Sequence, residues 1–240
     1  MVVKILKDYN ELSKKAAEKA AGYIKAFPDT LVCFAAGNTP LGMFRELVKM
    51  HEQGEIDLAS MWYVGLDEWM GLGIDDEGSC VKVMYDAIYR HIPKERVCMF
   101  DGLNEDADKQ CREMEILIAS HGGIGFALLG VGMNGHIGFN EPGTPDIEGC
   151  FTVALDDVTK SVSKKYFGKE RPVTTGITIG WRTLYKAHNV VLMSSGKEKA
   201  PIIKAALDGP RTPDITASLF QNHNNITIML DEDSASLLQR

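Results

Sequence analysis

Residues 128–144 read LLGVGMNGHIGFNEPGT, and the rest of the chain can be organised around this stretch. It opens with an apolar run that is typical of a buried strand, and the run breaks at Gly130 and Gly132. Four polar residues then fall within eight positions: Asn134, His136, Asn140 and Glu141. Ligands of α/β proteins bind in the crevice at the carboxyl ends of the strands, so this pattern predicts a functional loop.

His136 and Glu141 are the residues of this loop best suited to chemistry. A histidine titrates near neutral pH, and a carboxylate five positions away can share acid–base work with it. Gly135 and Gly138 flank the histidine and allow the backbone to turn sharply beside a bound molecule. The local sequence leaves one alternative open, a glycine-rich connector whose polar residues only cap a helix.

Outward from this loop, short apolar runs alternate with segments of helical periodicity. The predicted strands lie at 31–36, 62–66, 97–100, 126–129, 151–155, 176–179, 190–193 and 226–230. The predicted helices begin with one that follows an Asn10 N-cap, and continue at 41–50, 79–92, 105–120, 197–207 and 216–221. This alternation predicts a Rossmann-like, doubly wound α/β fold with a mostly parallel sheet and helices on both faces. No repeat or linker interrupts it, so we predict one domain over residues 1–240.

The composition limits the partners and the cellular compartment. The net charge of -7 argues against a nucleic-acid partner, for which a basic face is typical. The five cysteines are scattered, odd in number and without a CxxC pair, which is typical of reduced thiols and not of disulfides or a zinc site. No apolar run is long enough to cross a membrane and no signal-peptide pattern begins the chain, so we predict a cytoplasmic protein without a membrane partner.

Two further loops at predicted strand ends carry polar residues that a core would not accommodate. The first is GNTP at 37–40, where the start of a helix beside a small hydroxyl group suits a phosphate. A capped turn with Thr39 as N-cap is the alternative for this loop. The second is Asp67-Glu68, because two adjacent acids after an apolar strand are costly unless they are solvated, paired or used. A doubly wound fold places all three loops at one edge of the sheet.

Three segments carry a resemblance to a known family. Residues 130–144, GVGMNGHIGFNEPGT, look like the signature of the glucosamine-6-phosphate deaminase family, whose members are also called glucosamine-6-phosphate isomerases. Residues 66–72, LDEWMGL, resemble that family's LDEYVGL, and residues 35–57 are similar to its glycine–threonine–proline loop with the helix after it. The similarity runs from about residue 31 to the C-terminus, in the same order and at similar spacing.

The resemblance implies a reaction and the residues that carry it out. Glucosamine 6-phosphate and water would give fructose 6-phosphate and ammonia, without a metal or another cofactor. Asp67 would be the base that takes the C2 proton and passes it to C1. His136 would carry the proton between the ring oxygen and the C1 hydroxyl. Glu141 would lie behind His136, where it fixes the tautomer of the imidazole and stabilises its charged form.

By the same resemblance, the 6-phosphate would rest on Gly37, Asn38 and Thr39. Lys199, in GKEKA, stands where the family has a phosphate-binding lysine. Lys165, in KKYF, stands where the family has an arginine in an SRFF-like segment. A lysine at that position keeps the positive charge but loses the bidentate geometry of a guanidinium group.

Two departures from the family pattern bear on catalysis and regulation. Asn134 stands where many members place an aspartate; it can orient His136 by hydrogen bonding but brings no negative charge to the site. Allosteric members bind a phosphorylated activator through basic residues shortly after the NEP motif. Residues 142–159 contain no Lys or Arg, so we expect no activation by N-acetylglucosamine 6-phosphate.

Several alternatives stay open beside the deaminase. One is a 6-phosphogluconolactonase-type hydrolase, although that family has phenylalanine–proline–glycine where residues 139–142 read FNEP. Another is a deaminase for an epimer such as galactosamine 6-phosphate. A third is a catalytically silent phosphosugar sensor, whose usual DNA-binding module has no counterpart in this chain. A homo-oligomer is compatible with each of them.

Overall fold

The computed structural model describes residues 1–163, 167 and 172–239, and its strands and helices alternate along most of the chain. The strands are β1 (Val2–Leu6), β2 (Leu31–Phe34), β3 (Trp62–Gly65), β4 (Asp67–Trp69), β5 (Val97–Cys98), β6 (Phe126–Gly130), β7 (Cys150–Ala154), β8 (Thr175–Ile179), β9 (Asn189–Ser194) and β10 (Ile226–Asp231). The α-helices are α1 (Tyr9–Ala26), α2 (Leu41–Glu52), α3 (Cys80–Ala87), α4 (Ala107–Ser120), α5 (Asp157–Ser163), α6 (Trp181–Tyr185) and α7 (Ala200–Leu207). Short 3-10 turns lie at Leu58–Ser60, Tyr89–His91, Lys94–Arg96, Lys197–Lys199 and Thr216–Asn222. None of the described helices is long and apolar enough to span a membrane.

Within the described residues, seven strands form the main sheet in the spatial order β1-β10-β9-β6-β2-β3-β5, and every neighbouring pair is parallel. Side chains of β2 alternate between two cores: Leu31 and Cys33 belong to one, Val32 and Phe34 to the other. Helices α4 and α7 cover the first face, and α1 and α2 cover the second. The predicted α/β class, a mostly parallel Rossmann-like sheet between two helical layers, is therefore confirmed.

A second sheet of three antiparallel strands, here called the small sheet, has the order β4-β8-β7. The predicted strands at 151–155 and 176–179 exist, but they belong to the small sheet. Asp67 and Glu68, predicted to lie in a loop, instead begin β4, where Asp67 pairs with Thr178 of β8. A strand of three residues is too short to show a period of two, and its partner lies far along the chain. Local sequence therefore carries no signal for β4.

The N-terminal elements differ from the predictions in two details. β1 is absent from the predicted strands because its residues, VVKIL, are mostly exposed at the edge of the main sheet and show no buried alternation. The N-cap of α1 is Asp8, not Asn10, since the Asp8 carboxylate accepts a hydrogen bond from the backbone N–H of Glu11 at 2.9 Å. Asn10 lies inside the first turn of the helix.

The carboxyl ends of neighbouring strands place the candidate site. β9, β6 and β2 are adjacent in the main sheet, and the chain leaves them into residues 195–199, 131–144 and 35–40. β3 lies beside β2 and leads through one residue into β4 of the small sheet. The polar loops therefore meet at one edge, where parallel sheets bind their ligands.

Candidate active site

One cleft at this edge is lined by most of the predicted site residues. It encloses about 950 Å³ of empty space, counting its open mouth. The predicted residues on its wall are Gly37, Asn38, Thr39, Asp67, His136 and Lys199. Asn134 and Glu141 lie behind His136, and Lys165 lies outside the described residues. Folding thus brings distant loops together, while the roles of these residues stay predictions.

The loop after β2 turns sharply before α2 begins. Gly37 has a φ of +99°, a left-handed conformation that favours glycine. The helix starts at Leu41 with Pro40 as its N-cap residue and without a side-chain cap, so the alternative of Thr39 as N-cap is wrong. The hydroxyl of Tyr9 donates to the carbonyl of Asn38 at 3.2 Å and accepts from the N–H of Gly42 at 2.8 Å. The Tyr9 hydroxyl thus joins the loop to α1. Residues 37–39 of the loop line the cleft.

Asp67 is the buried carboxyl group of the cleft wall. It is 9% exposed, and strand pairing with Thr178 fixes its backbone. Burial raises the pKa of Asp67 to about 6, while the imidazole of His136 and the thiol of Cys80 limit the rise. A carboxyl group with such a pKa is mostly ionised at pH 7 and still basic enough to accept a proton from carbon.

Glu68, the neighbour of Asp67 on β4, serves a structural purpose. It is fully buried, and its two carboxylate oxygens accept the backbone N–H groups of Trp69 at 2.8 Å, Cys80 at 2.9 Å and Val81 at 2.7 Å. Burial raises the pKa of Glu68 to about 7, and the three donors oppose that rise. The two adjacent acids therefore have different surroundings. Asp67 lines the cleft. Glu68 anchors α3 to β4 through its hydrogen bonds.

His136 and Glu141 form a hydrogen-bonded pair. The Nδ1 atom of His136 lies 3.1 Å from Oε2 of Glu141 and 3.1 Å from the hydroxyl of Thr159. Within the described part of the chain, no hydrogen bond reaches the Nε2 atom of His136, which leaves that nitrogen for a ligand in the cleft. A Cβ atom at Gly132 would lie 2.2 Å from Nε2, so only glycine lets the imidazole lie against this backbone.

Asn134 acts on Glu141 and on the backbone of the loop. Its amide group donates to Oε2 of Glu141 at 2.9 Å and to Oδ1 of Asp156 at 3.3 Å, and its Oδ1 accepts the N–H of His136 at 3.3 Å. The backbone N–H of Asp156 donates to the other Glu141 oxygen at 3.2 Å. Burial alone would raise the pKa of Glu141, but the hydrogen bond and charge of His136 and the donors Thr159 and Asn134 lower it below its usual value.

Thr159 and Asp156 are site residues that sequence reasoning missed. Thr159 lies on α5, a helix of seven residues that is too short for its periodicity to stand out. Asp156 immediately precedes this helix, and its Oδ1 atom accepts the N–H of Val158 at 2.8 Å. An aspartate directly before a helix is a capping signal, and it is the one local sign of α5 that the sequence offers.

Asn140 has a structural part in the signature loop. Its side chain is fully buried, donates to the carbonyls of Ile137 at 2.8 Å and Ile179 at 2.9 Å, and accepts the N–H of Trp181 at 2.8 Å. Ile179 ends β8, so this amide fastens the loop to the small sheet. Asn140 therefore sets the position of Glu141 without contacting the cleft.

Lys199 lies in the 3-10 turn that follows β9. Its ammonium group donates to the carbonyl of Val131 at 2.6 Å, which places a positive charge on the cleft wall. The preceding turn requires Gly196, at φ +94°, and is held by Asp231, whose carboxylate accepts from the hydroxyl of Ser195 and the N–H of Gly196. Asp231 lies at the end of β10 and has no counterpart among the predicted site residues.

The titratable side chains do not group as metal ligands. Within residues 1–163, 167 and 172–239, no three or more His, Cys, Asp and Glu side chains lie together as a metal site would require. The site that these residues form instead combines the buried carboxyl of Asp67, a histidine–glutamate pair and a lysine.

Comparison with known sequences relates the chain to one family. The family model for glucosamine-6-phosphate isomerases/6-phosphogluconolactonase matches residues 7–230. The chain is 39% identical over 241 residues to a glucosamine-6-phosphate deaminase of Thermoanaerobacter sp. (strain X514), covering 99% of this chain and 95% of that protein. It is 35% identical over 238 residues to a glucosamine-6-phosphate deaminase of Clostridium perfringens, covering 98% of each.

Solved structures show the same relationship. The fold is similar to that of a monomeric glucosamine-6-phosphate deaminase with a TM-score of 0.94 and 34% sequence identity, covering 99% of this chain and 100% of that one. A 6-phosphogluconolactonase from Trypanosoma brucei is similar with a TM-score of 0.80 over 99% of this chain and 98% of that one. At 19% identity, the second match indicates a shared fold alone.

Proposed function

Because the chain belongs to the family of glucosamine-6-phosphate isomerases and 6-phosphogluconolactonases, we propose that it is a glucosamine-6-phosphate deaminase. The reaction converts glucosamine 6-phosphate and water to fructose 6-phosphate and ammonia. One observation carries the proposal: a buried carboxyl with a pKa of about 6 and a histidine–glutamate pair line the same cleft. An aldose–ketose isomerisation needs these two groups, one to open the sugar ring and one to move a proton between carbons.

Ring opening is the task of His136. The C1 hydroxyl must lose a proton while the ring oxygen gains one, and a single imidazole nitrogen can take the first proton and supply the second. Glu141 holds Nδ1, so the proton moves at Nε2. The carboxylate of Glu141 also stabilises the imidazolium that exists between the two transfers.

Asp67 then acts on the open-chain aldehyde. It removes the proton at C2, which the neighbouring carbonyl acidifies. The C2–H electrons form the C1–C2 double bond, the carbonyl electrons move to O1, and O1 takes the proton that the C2 ammonium group gives up, so the product is a neutral enolamine. The same carboxyl returns the proton to C1, which leaves an iminium group at C2. Water adds to C2 and ammonia leaves, giving the ketose. A single carboxyl on the wall of an open cleft suits both transfers, because it accepts a proton from C2 and, after partial exchange with water, returns one to C1.

The phosphate end of the substrate rests on the loop after β2. The backbone turn at Gly37, Asn38 and Thr39 holds the phosphate. Lys199 supplies a positive charge on the same wall. Lys165, outside the described residues, is the second proposed cation. A phosphate held there sets the distance from C6 to the carbons that react, so this contact governs substrate affinity.

The test is a substrate panel with two readouts. The purified protein is incubated with glucosamine 6-phosphate, galactosamine 6-phosphate and 6-phosphogluconolactone, and both ammonia release and lactone hydrolysis are measured. We expect ammonia and fructose 6-phosphate from glucosamine 6-phosphate, at a higher kcat/KM than from the epimer. Lactone hydrolysis without ammonia release would instead assign the site to the hydrolases of the family.

The proposed compartment is the cytoplasm, and the proposed active unit is one chain. All five cysteines are free thiols, which suits a reducing compartment. The similarity to a monomeric glucosamine-6-phosphate deaminase supports a single chain as the active unit. If one chain is the active unit, the specific activity should be the same at every protein concentration of a dilution series that spans any association equilibrium.

A further inference from the structure

Tyr9, the first residue of α1, contacts the loop of residues 37–40, here called the phosphate loop, but does not itself line the cleft. Its hydroxyl donates to the carbonyl of Asn38 at 3.2 Å and accepts from the N–H of Gly42 at 2.8 Å. We propose that Tyr9 is a positioning residue, whose hydroxyl fixes the peptide between Asn38 and Thr39 so that the Thr39 N–H is presented to the 6-phosphate. This inference rests on the proposed function and adds a residue from outside the cleft wall.

The orientation of one peptide group links Tyr9 to the cleft. The carbonyl of Asn38 and the N–H of Thr39 belong to the same planar group, and in a trans peptide they point in opposite directions. Every peptide bond among the described residues is trans. The Tyr9 hydroxyl holds the Asn38 carbonyl toward α1, and the N–H of Leu41 reaches the same carbonyl at 3.4 Å. The N–H of Thr39 is therefore directed away from α1, and Thr39 lines the cleft.

The phosphate loop keeps its backbone donors for a ligand. Among the residues that the structure describes, the N–H groups of Gly37, Asn38 and Thr39 donate to no protein acceptor, and all three residues line the cleft. Successive N–H groups in a turn form a concave site for an anion. A phosphate group has several oxygens and can accept from more than one of these donors at a time, so the orientation of each peptide affects its affinity.

Close packing of α1 on α2 brings the Tyr9 hydroxyl to this turn. A Cβ atom at Gly42 would lie 2.2 Å from the Oγ atom of Ser13 and 3.0 Å from the Tyr9 hydroxyl, so only glycine allows this approach. The N-cap residue of α2, Pro40, provides no side-chain hydrogen bond. The Tyr9 hydroxyl accepts the N–H of Gly42 instead, which satisfies one of the free donors of the first helical turn.

Phenylalanine at position 9 would keep the aromatic ring and remove only the hydroxyl. The Asn38 carbonyl would then keep only the longer bond from Leu41, and the N–H of Gly42 would lose its acceptor. The peptide before Thr39 would be free to rotate and to present its carbonyl to the phosphate, and a carbonyl oxygen repels an anion. Asp67 and His136 lie on other segments, so the substitution leaves the acid–base groups in place.

The experiment compares Tyr9→Phe and Tyr63→Phe with the wild-type protein in steady-state kinetics. Tyr63 is the matched control, because its buried hydroxyl donates to the carbonyl of Leu58 at 2.8 Å and neither of these residues lines the cleft. Tyr9→Phe should raise KM for glucosamine 6-phosphate by about 3- to 10-fold, the scale of one hydrogen bond, with kcat changed by less than about twofold. Tyr63→Phe should leave both constants in place. The rate with free glucosamine should be the same in all three proteins.

A second readout does not depend on turnover. Inorganic phosphate is titrated into each protein, isotopically labelled at the threonine nitrogens, and the Thr39 amide resonance is followed by NMR; the absence of this resonance from Thr39→Ser assigns it. The resonance should shift in the wild type, and the midpoint of the titration should lie at an about 3- to 10-fold higher phosphate concentration in Tyr9→Phe.

Four results would overturn the proposal. They are an unmoved Thr39 resonance in the wild type, an unchanged KM in Tyr9→Phe, equal rises of KM in the two tyrosine variants, and equal losses with glucosamine 6-phosphate and free glucosamine. If the wild type released no ammonia, the proposed function would fail, while the phosphate titration would still test the part of Tyr9.

Discussion

Asp67 and Glu141 are two carboxyl groups of one site, with exposures of 9% and 5%, yet their pKa values move in opposite directions. Burial raises the pKa of Asp67 to about 6, and among the described residues the imidazole of His136 and the thiol of Cys80 oppose the rise. Burial acts on Glu141 as well, but donors from His136, Thr159 and Asn134 outweigh it and lower the pKa. The hydrogen-bond donors around Glu141 therefore account for part of the difference between the two groups.

The difference assigns different chemistry to two residues of the same acidic type. A carboxyl with a raised pKa can accept a proton and return it, whereas one with a lowered pKa stays charged and stabilises a neighbouring cation. The small sheet supplies the first environment, and the loop after β6 with α5 supplies the second. Each prediction below removes or reverses one side of this contrast.

The largest effect is expected from Asp67→Asn. The amide cannot accept the C2 proton, so turnover should fall by at least ~100-fold while substrate binding stays nearly normal. Turnover is measured by ammonia release and binding by calorimetry. In the wild type, reaction in deuterated water should place label at C1 of the ketose. Unchanged turnover would remove Asp67 from the mechanism.

The same variant should be more stable than the wild type at neutral pH. Because the pKa of Asp67 rises from 3.8 unfolded to about 6 folded, ionisation penalises the folded state. The penalty builds between about pH 4 and pH 6 and is then constant, at roughly 3 kcal/mol. Denaturant unfolding of both proteins from pH 4 to pH 8 measures it. Parallel stability curves across that range would show that Asp67 is not buried as an ionised group.

Lys199→Ala removes a positive charge of the cleft wall and leaves both carboxyl groups in place. Loss of a charge-assisted contact to phosphate should cost roughly 1.5–3 kcal/mol, seen as a higher KM for phosphorylated substrates. The rate with free glucosamine, which lacks the phosphate, should change little. Equal losses with both substrates would indicate that the bond from Lys199 to the Val131 carbonyl is structural.

Glu141→Gln removes the charge from the second environment and keeps its shape. The imidazolium of His136 loses its stabilising partner, so kcat should fall by about 10-fold, the scale on which supporting partners act. The pKa of Glu141 is lowered in the folded protein, so its stabilising contribution is present above about pH 4.5 and is lost as the pH falls through the folded pKa. The variant should therefore lose stability at pH 7 and converge with the wild type in acid.

The last prediction is an absence of effect: addition of N-acetylglucosamine 6-phosphate should leave the reaction rate unchanged. Residues 142–159 hold no Lys or Arg, and the acids Asp146 and Glu148 pair with Arg182 and Lys186 instead of lying unpaired. The expected curve of rate against substrate is hyperbolic with or without the compound. A sigmoidal curve that the compound makes hyperbolic would reveal an activator site built from other residues.

The parallel sheet could be predicted because its central strands contain short, mostly apolar runs between helices of clear periodicity. LVCF at 31–34 and FALL at 126–129 are examples. The edge strand β1 and the three-residue β4 lack that signal, since the first is exposed and the second is too short. Motif resemblance, in turn, selected His136, Glu141 and Asp67, but offered nothing for Thr159 or Asp156.

Local sequence was enough for the central strands of the main sheet and the longer helices, for the turn at Gly37, and for the residue types that can do acid–base work. These features depend on neighbouring residues in the chain. The opposite environments of Asp67 and Glu141 depend on groups brought from afar: Thr178 pairs with the first across 111 positions, and Thr159 reaches the His136–Glu141 pair from α5. A pKa is set by burial and by every donor within a few ångströms, and neither quantity exists until the chain has folded.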